Sequence, residues 1–161
     1  MAEMKLQLGR IVLALDSGAL QALTSQKPQN KTGQERSKFA YRLGSIRSAL
    51  VRFIDERSVY YTHKRDLETA HFDDIEFTEP GTGEKKLRRE FKSPMAEHRR
   101  AYGDALEGLL LAEVDANVPT VTLDELADFG IELTPEQMSL LSFCIVEPAE
   151  AEQATASALP A

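Results

Sequence analysis

The stretch TGQERSKFAYRLGSIRSALVRFIDERSVYYTHKRDLETA, residues 32–70, decides how the chain is read. Thr32 and Glu35 stand at capping-box spacing: the threonine oxygen takes the amide at Glu35, and the glutamate reaches back to the amide of Thr32. From there to Ala70 no proline intervenes, and after Gly33 the one glycine is Gly44. Apolar side chains fall at Phe39, Leu43, Ile46, Leu50 and Phe53, alternately four and three apart, as in a coiled-coil seam. The pattern predicts one helix over residues 33–70, about 57 Å long at the usual rise per residue. Carried on, the seam passes through Arg57, Tyr60, Lys64, Leu67 and His71, mixing apolar and polar groups. Such a helix starts in a packed core and projects beyond it.

A partner for this helix lies downstream. Ser93-Pro94 reads as a new helix start, with serine as cap and proline at the first helical position. Met95, Tyr102, Leu106, Leu109 and Leu110 keep the three-to-four spacing, so residues 94–114 are expected to run back antiparallel along residues 33–70. Between the two, Asp74-Ile75-Glu76-Phe77-Thr78 alternates as a strand. Pro80-Gly81-Thr82-Gly83 supplies turn chemistry, and Lys86-Leu87-Arg88 starts a return strand. This hairpin belongs at the tip of the helical pair.

The flanks read as a compact base. Met4-Lys5-Leu6-Gln7-Leu8 alternates as a short strand. Residues 10–25 place Ile11, Val12, Leu15, Ala19, Ala22 and Leu23 on one helical face, weakened in the middle by Asp16-Ser17-Gly18. Ser25 to Gly33, with Lys27-Pro28-Gln29-Asn30, is a loop too polar to order itself by burial. Asn117-Val118-Pro119 is expected to end the second long helix. Thr120-Val121-Thr122-Leu123 is expected as a strand pairing with Leu6-Gln7-Leu8. Thr122 with Glu125 forms a second capping box, opening a short helix that stops at Gly130. Thr134-Pro135-Glu136-Gln137 is a third cap, with proline just inside.

The expected fold is therefore mainly α: an antiparallel long-helix pair packed with short N- and C-terminal helices, plus a small β-hairpin and short strands. One domain covers 1–146, and an Ala/Glu/Pro-rich tail over 147–161 is expected to be disordered. The expected core comprises Leu8, Ile11, Leu15, Phe39, Leu43, Ile46, Leu50, Leu106, Leu109, Leu126 and Leu141.

A length of 161 residues suits one domain and is enough for a core without staples. The net charge of -7 hides an asymmetry. Residues 27–100 carry 17 basic and 12 acidic groups, whereas residues 101–161 carry 12 acidic groups and no Lys or Arg. Either the two parts pair internally or one meets a charged partner. The single cysteine, Cys144, has no partner for an internal disulfide, which favours a reducing compartment. The start, Met1-Ala2-Glu3-Met4-Lys5, followed by apolar runs broken at Gly9, Arg10 and Asp16, reads as neither signal peptide nor membrane span.

Candidate chemistry is thin. Cys144 sits in the apolar run Leu141-Ser142-Phe143-Cys144-Ile145 and reads as a small hydrophobe. His63, His71 and His98 have no i, i+4 pairing, and His71, Asp73, Asp74 and Glu76 read as a solvated loop. Asp74 with Glu84-Lys85-Lys86 has the acid…acid-x-Lys order of metal-dependent nucleases, without the α/β surroundings such sites need. Gly81-Thr82-Gly83 is a turn, and no phosphate-binding loop is present. Tyr60-Tyr61-Thr62-His63-Lys64-Arg65 interleaves aromatics and cations as single-strand binders do. The acidic balance of the chain argues against a nucleic-acid partner. No catalytic residue, cofactor or metal ligand is expected.

In element order the chain resembles a family of small uncharacterised proteins of tailed bacteriophages and prophages. The likeness runs through Met4-Lys5-Leu6-Gln7-Leu8, the charged helix to Tyr60-Tyr61, the hairpin and Leu109-Leu110-Leu111-Ala112-Glu113-Val114. It ends with Val121-Thr122-Leu123-Asp124-Glu125-Leu126 and Leu140-Leu141-Ser142-Phe143. It covers most of residues 4–147; the Lys27–Gly33 loop and the Ala-rich tail depart from it. The resemblance implies a phage context, in the virion or the host bacterial cytoplasm. With no chemistry in the sequence, the chain is expected to be a non-enzymatic interaction protein. It is expected to act as a virion or morphogenesis component, or else as a cytoplasmic effector that inhibits a host or defence enzyme through its acidic C-terminal half, so that its partner is a phage structural protein or a host protein. Its expected contacts are Arg57, Tyr60, Tyr61, Lys64 and Arg65 on the projecting helix, and Asp124, Glu125 and Asp128 in the acidic end. The mixed seam permits self-association as well.

Overall fold

The computed structural model describes residues 3–147, so the tail expected from Glu147 onward lies, Glu147 apart, outside the described residues. Helices dominate, accompanied by three two-stranded sheets. Strand β1 (Glu3–Gln7) leads straight into α1 (Leu8–Asp16), and α2 (Ala19–Ser25) follows. The weak point read at Asp16-Ser17-Gly18 is a break: Gly18 takes a φ of 81°, which glycine alone adopts freely.

Helix α3 (Gly33–Val51) starts as its sequence demands. The Glu35 amide donates to Thr32 Oγ1 at 3.2 Å, and the Thr32 amide donates to the Glu35 carboxylate at 3.0 Å. Those bonds hold the Glu35 carboxyl below its ordinary pKa. Phe39, Leu43, Ile46 and Leu50 are buried, as the seam predicts.

The single helix over 33–70 is not what forms. α3 ends at Val51, the chain turns through residues 52–58, and α4 (Val59–His71) restarts. The cause is local. The Asp55 carboxylate accepts the Arg57 amide at 3.0 Å. Ser58 donates its hydroxyl to the Asp55 carbonyl at 2.6 Å and accepts the Tyr61 amide at 3.1 Å. Short polar side chains that bond nearby backbone compete with helix continuation, and Ser58 then caps the new helix. The intended 57 Å rod becomes two pieces of about 28 and 20 Å. The seam resumes beyond the turn: Tyr60 is buried and Lys64, Leu67 and His71 are half-buried, while Arg57 stands exposed in the turn.

Strands β2 (Phe72–Thr78) and β3 (Lys85–Phe91) form the expected antiparallel hairpin, and α5 (Met95–Leu111) returns from it. α5 packs on α4 and α1, not along α3, because the turn at 52–58 has already redirected the chain. Ser93 supplies no cap; the Ser93–Pro94 peptide is cis and Pro94 itself occupies the N-cap. α5 also stops earlier than expected. Glu113–Asn117 is a strand, β4, antiparallel to β1 with Leu6 opposite Val114. The Leu8 amide, donating to the Ala112 carbonyl at 2.9 Å, fixes that junction. β1 is thereby occupied, and β5 (Val121–Thr122) pairs in parallel with β6 (Ile145–Val146) instead of with Leu6-Gln7-Leu8.

Both remaining capping boxes form, at α6 (Leu123–Asp128) and α7 (Pro135–Leu140). Gly130, at φ 67°, ends the α6 segment, with the Ile131 amide returning to the Leu126 carbonyl at 2.9 Å. The polar loop before α3 does not rely on burial. The Gln26 side chain bonds both the amide and the carbonyl of Glu132, the Gln29 amide reaches the Phe129 carbonyl, and Asn30 reaches the Asp128 carbonyl.

The core gathers α1, α2, α3, β4, α6 and the C-terminal segment. Of the expected core, Leu8, Ile11, Phe39, Leu43, Ile46, Leu50, Leu126 and Leu141 are buried. Leu15, Leu106 and Leu109 are only half-buried, because the α1–α5 contact lies at the edge of the core; α5 buries no residue fully. Leu6, Leu20, Leu23, Val118, Val121, Phe143 and Cys144 are among the additional buried residues.

Candidate functional site

The first turns of α4 form a ridge with a cleft on each side, and Tyr60 is the wall that both clefts share. The residues singled out in the sequence fall into two groups. Tyr61, Lys64 and Arg65 line one cleft, and Arg57 lines the other.

The larger cleft, about 840 Å³, lies between α1, α4 and the base of the hairpin. Its charges are mixed. Arg89 approaches Glu68 at 3.2 Å and Asp74 at 3.6 Å, with its guanidinium over the Phe72 ring. Lys64, Arg65 and Lys92 form no ion pair among the described residues. Burial raises the pKa of Tyr60, with Asp16, Tyr102 and Glu68 adding to the effect. Tyr102 is raised by burial and Glu68, against Arg89. Both phenols therefore stay protonated at neutral pH.

The smaller cleft, about 590 Å³, is walled by Leu8, Phe53, Val59, Tyr60, Leu109 and Val114, and rimmed by Arg52, Arg57 and His63. Its apolar character comes from the turn at 52–58, which leaves Phe53 half-buried beside the exposed Val59.

Where α4, the hairpin and α5 meet, an aromatic joint holds them. Phe72 and Phe91, opposite each other in register, stack with centroids 4.3 Å apart, and Tyr102 packs edge-on to both. His71 and His98 meet at 3.0 Å between their Nδ1 atoms, so one imidazole donates and the other accepts. Nothing in the sequence marks that pair, since the two histidines lie on different elements.

Beyond the joint the hairpin is open to solvent on both faces, and among the described residues its two outer edges carry no further strand. Ile75 is 39% exposed and Leu87 72%. The nuclease-like order dissolves here. Asp74 lies opposite Arg89 and Lys86 opposite Phe77, so by strand alternation Asp74 and Lys86 face opposite sides; Lys86 pairs with Glu79 at 2.8 Å. His71 meets His98, and among the described residues no three His, Cys, Asp or Glu side chains are grouped to hold a metal. Cys144 is buried and its thiol is pushed up to about 12 by burial.

The acidic set lies elsewhere, on α6. Glu125 closes its own capping box and pairs with Arg42 of α3, and Asp128 stands 3.9 Å from Lys31. Only Asp124 of the three is exposed without an ion pair among the described residues. α6 is thus where the acidic end meets the basic middle of the chain. The apolar cleft was missed in the sequence because Arg52, Val59 and Leu109 share no period; the break in α3 brings them together. No described helix is long and apolar enough to cross a membrane. Set against protein-family models, curated proteins and solved structures, the chain matches none of them.

Proposed function

We propose that this chain is a non-enzymatic interaction protein: a packed helical base that carries an arm, α4–β2–β3–α5, and offers that arm to a protein partner. The observation that carries the reading is the two-stranded hairpin beyond the aromatic joint, with Ile75 and Leu87 exposed and both edges unpaired among the described residues. A lone hairpin is marginal in water, and free edges with apolar side chains are surfaces another chain can complete. The narrower reading makes the partner a phage structural protein and this chain a virion or morphogenesis component; the resemblance in element order supports it.

A second reading has its own observation. The last part of the sequence carries 12 acidic groups and no Lys or Arg, and within the described residues only Glu125 and Asp128 of these have basic partners. An acidic surface of that kind suits a cytoplasmic effector that occupies the basic groove of a host or defence enzyme handling nucleic acid.

Placing a photo-crosslinking residue at Leu87 in phage-producing cells tests the first reading, with Tyr41, an exposed side chain of the base, as control. A discrete adduct with a phage structural protein from Leu87 and none from Tyr41 is expected, with the chain found in purified particles. Equal labelling from both positions, or adducts with a host enzyme only, defeats it.

A further inference from the structure

The smaller cleft points to the chemistry of a partner. We infer that it is a docking groove for an acidic peptide segment that inserts an apolar side chain. This inference rests on the reading of the chain as an interaction protein and names what that partner presents.

The groove has a greasy floor and a cationic rim. Leu8 and Tyr60 form buried floor, Phe53, Leu109 and Val114 are half-buried walls, and Val59 stands 73% exposed at the mouth. Leaving so apolar a concavity open to water is unfavourable, and burying one large apolar side chain in it is favourable. The fixed charges of the rim are the two arginines. Arg52, Arg57 and His63 are exposed, and none makes an ion pair among the described residues. The Arg52 guanidinium rests on the Phe53 ring, 4.8 Å from its centroid, which holds it at the edge without consuming its donors.

Among the described residues no acidic side chain lines the groove. Asp55 lies between its lining residues Phe53 and Arg57 in the chain, and its carboxylate accepts the Arg57 amide. Glu56 and Glu113 adjoin lining residues in the chain but line no part of the groove. A carboxylate-bearing ligand is therefore matched, and a basic one is repelled.

Shape chooses between a small molecule and a peptide. The opening follows the chain from Arg52 through the turn and along α4 to His63, a trough and not a closed chamber. Val59 and His63 are one helical turn apart on its lip. An extended or helical segment fits such a trough, with an anchor below and carboxylates above.

The probe is an acetylated, amidated peptide, Glu-Glu-Leu-Trp-Glu-Leu-Glu. The chain contains no Trp, so the peptide's own fluorescence reports binding without background. Its lysine counterpart, Lys-Lys-Leu-Trp-Lys-Leu-Lys, and decanoate are run beside it, and amide shifts in the full chain give the place. The expected result is saturable binding of the acidic peptide, weakened by salt, with shifts at Phe53, Val59, His63 and Val114. Arg52→Glu with Arg57→Glu is expected to weaken it by about tenfold or more. Both positions are exposed, so the fold is retained; Val59→Glu at the mouth repeats the test independently. Equal binding of the lysine peptide, binding of decanoate alone, or shifts confined to the hairpin overturns the inference. So does a dimer in sedimentation that Val59→Glu dissolves, since a second copy is then the occupant. The Leu87 crosslink is untouched by these variants. If it persists while the groove stays empty, the groove falls and the interaction reading stands.

Discussion

Base and arm are made of the same kinds of residue and are stabilised in different ways. In the base, Leu20, Leu23, Ile46, Leu50, Val121 and Leu141 are wholly buried, and elements distant in sequence share one core. In the arm, α4 buries only Tyr60, α5 buries nothing fully, and the hairpin has no second layer. What the arm has is a joint: Phe72, Phe91 and Tyr102 in mutual contact, with Arg89 and Arg99 over two of the rings. Burial over many residues resists perturbation, whereas a joint concentrates it. The difference teaches that stability resides in one half of this molecule and available surface in the other.

The sharpest way to break that comparison is to truncate one residue in each half. Ile46→Ala in the base is expected to cost about 2–5 kcal/mol in urea unfolding, the range for a buried aliphatic side chain that leaves a cavity. Leu106→Ala in α5 removes a similar volume from a half-buried position and is expected to cost about 1 kcal/mol, since less transfer energy and no closed cavity are lost. Equal costs for the two mean that α5 belongs to the same core as α3, and the division into base and arm fails.

The residues that made the base legible are the ones with period and caps. Phe39, Leu43, Ile46 and Leu50 announce their face by spacing, and the boxes at Thr32, Thr122 and Thr134 each form as their side chains dictate. The arm was harder to read because its punctuation is weak. Glycine and proline mark breaks plainly, but the break at 52–58 is written with Asp55 and Ser58, which are ordinary inside a helix until their side chains capture nearby backbone. β4 was legible and overlooked. Glu113-Val114-Asp115-Ala116-Asn117 alternates polar and apolar, and it reads as the end of a helix only if α5 is allowed to run on. The candidate contacts were chosen by composition, and composition says nothing of the two clefts that separate Arg57, in the turn, from Tyr61, Lys64 and Arg65 on α4; those follow from the break.

A smaller effect tests the break itself. Ser58→Ala removes the cap on the Tyr61 amide and the bond to the Asp55 carbonyl. It is expected to cost about 1–2 kcal/mol, the upper range for an N-cap because Ser58 is nearly buried. Faster amide exchange is expected at Tyr60 to Thr62, with α3 unchanged. Protection that spreads continuously from α3 into α4 means that the alanine lets the two helices fuse, and the arm is then set only by that serine.

Alkaline titration separates the halves most finely. The Cys144 thiol lies in the base, and burial moves it from an ordinary value of 9.0 to about 12. Below pH 9 the native and unfolded chains both hold that proton, so the stability is fully present. Above it the unfolded thiol ionises and the native one does not, so stability falls as the pH rises towards about 12. By one unit above its ordinary value the loss is about 1 kcal/mol. The arm titrates later and through different groups. Tyr60 and Tyr102, both raised by burial from 10.0, begin to destabilise the native state only when unfolded tyrosine ionises. Urea midpoints of the parent and of Cys144→Val, followed from neutral pH upward, isolate the base, because the valine has no proton to lose. The tyrosine absorbance change, free of Trp and recorded on a Tyr41→Phe background, follows the arm, where the other three tyrosines lie. Two separable steps, the first abolished by Cys144→Val, are expected if base and arm are distinct. A single step that survives the valine places the alkaline weakness in the arm and reverses the order of the two halves.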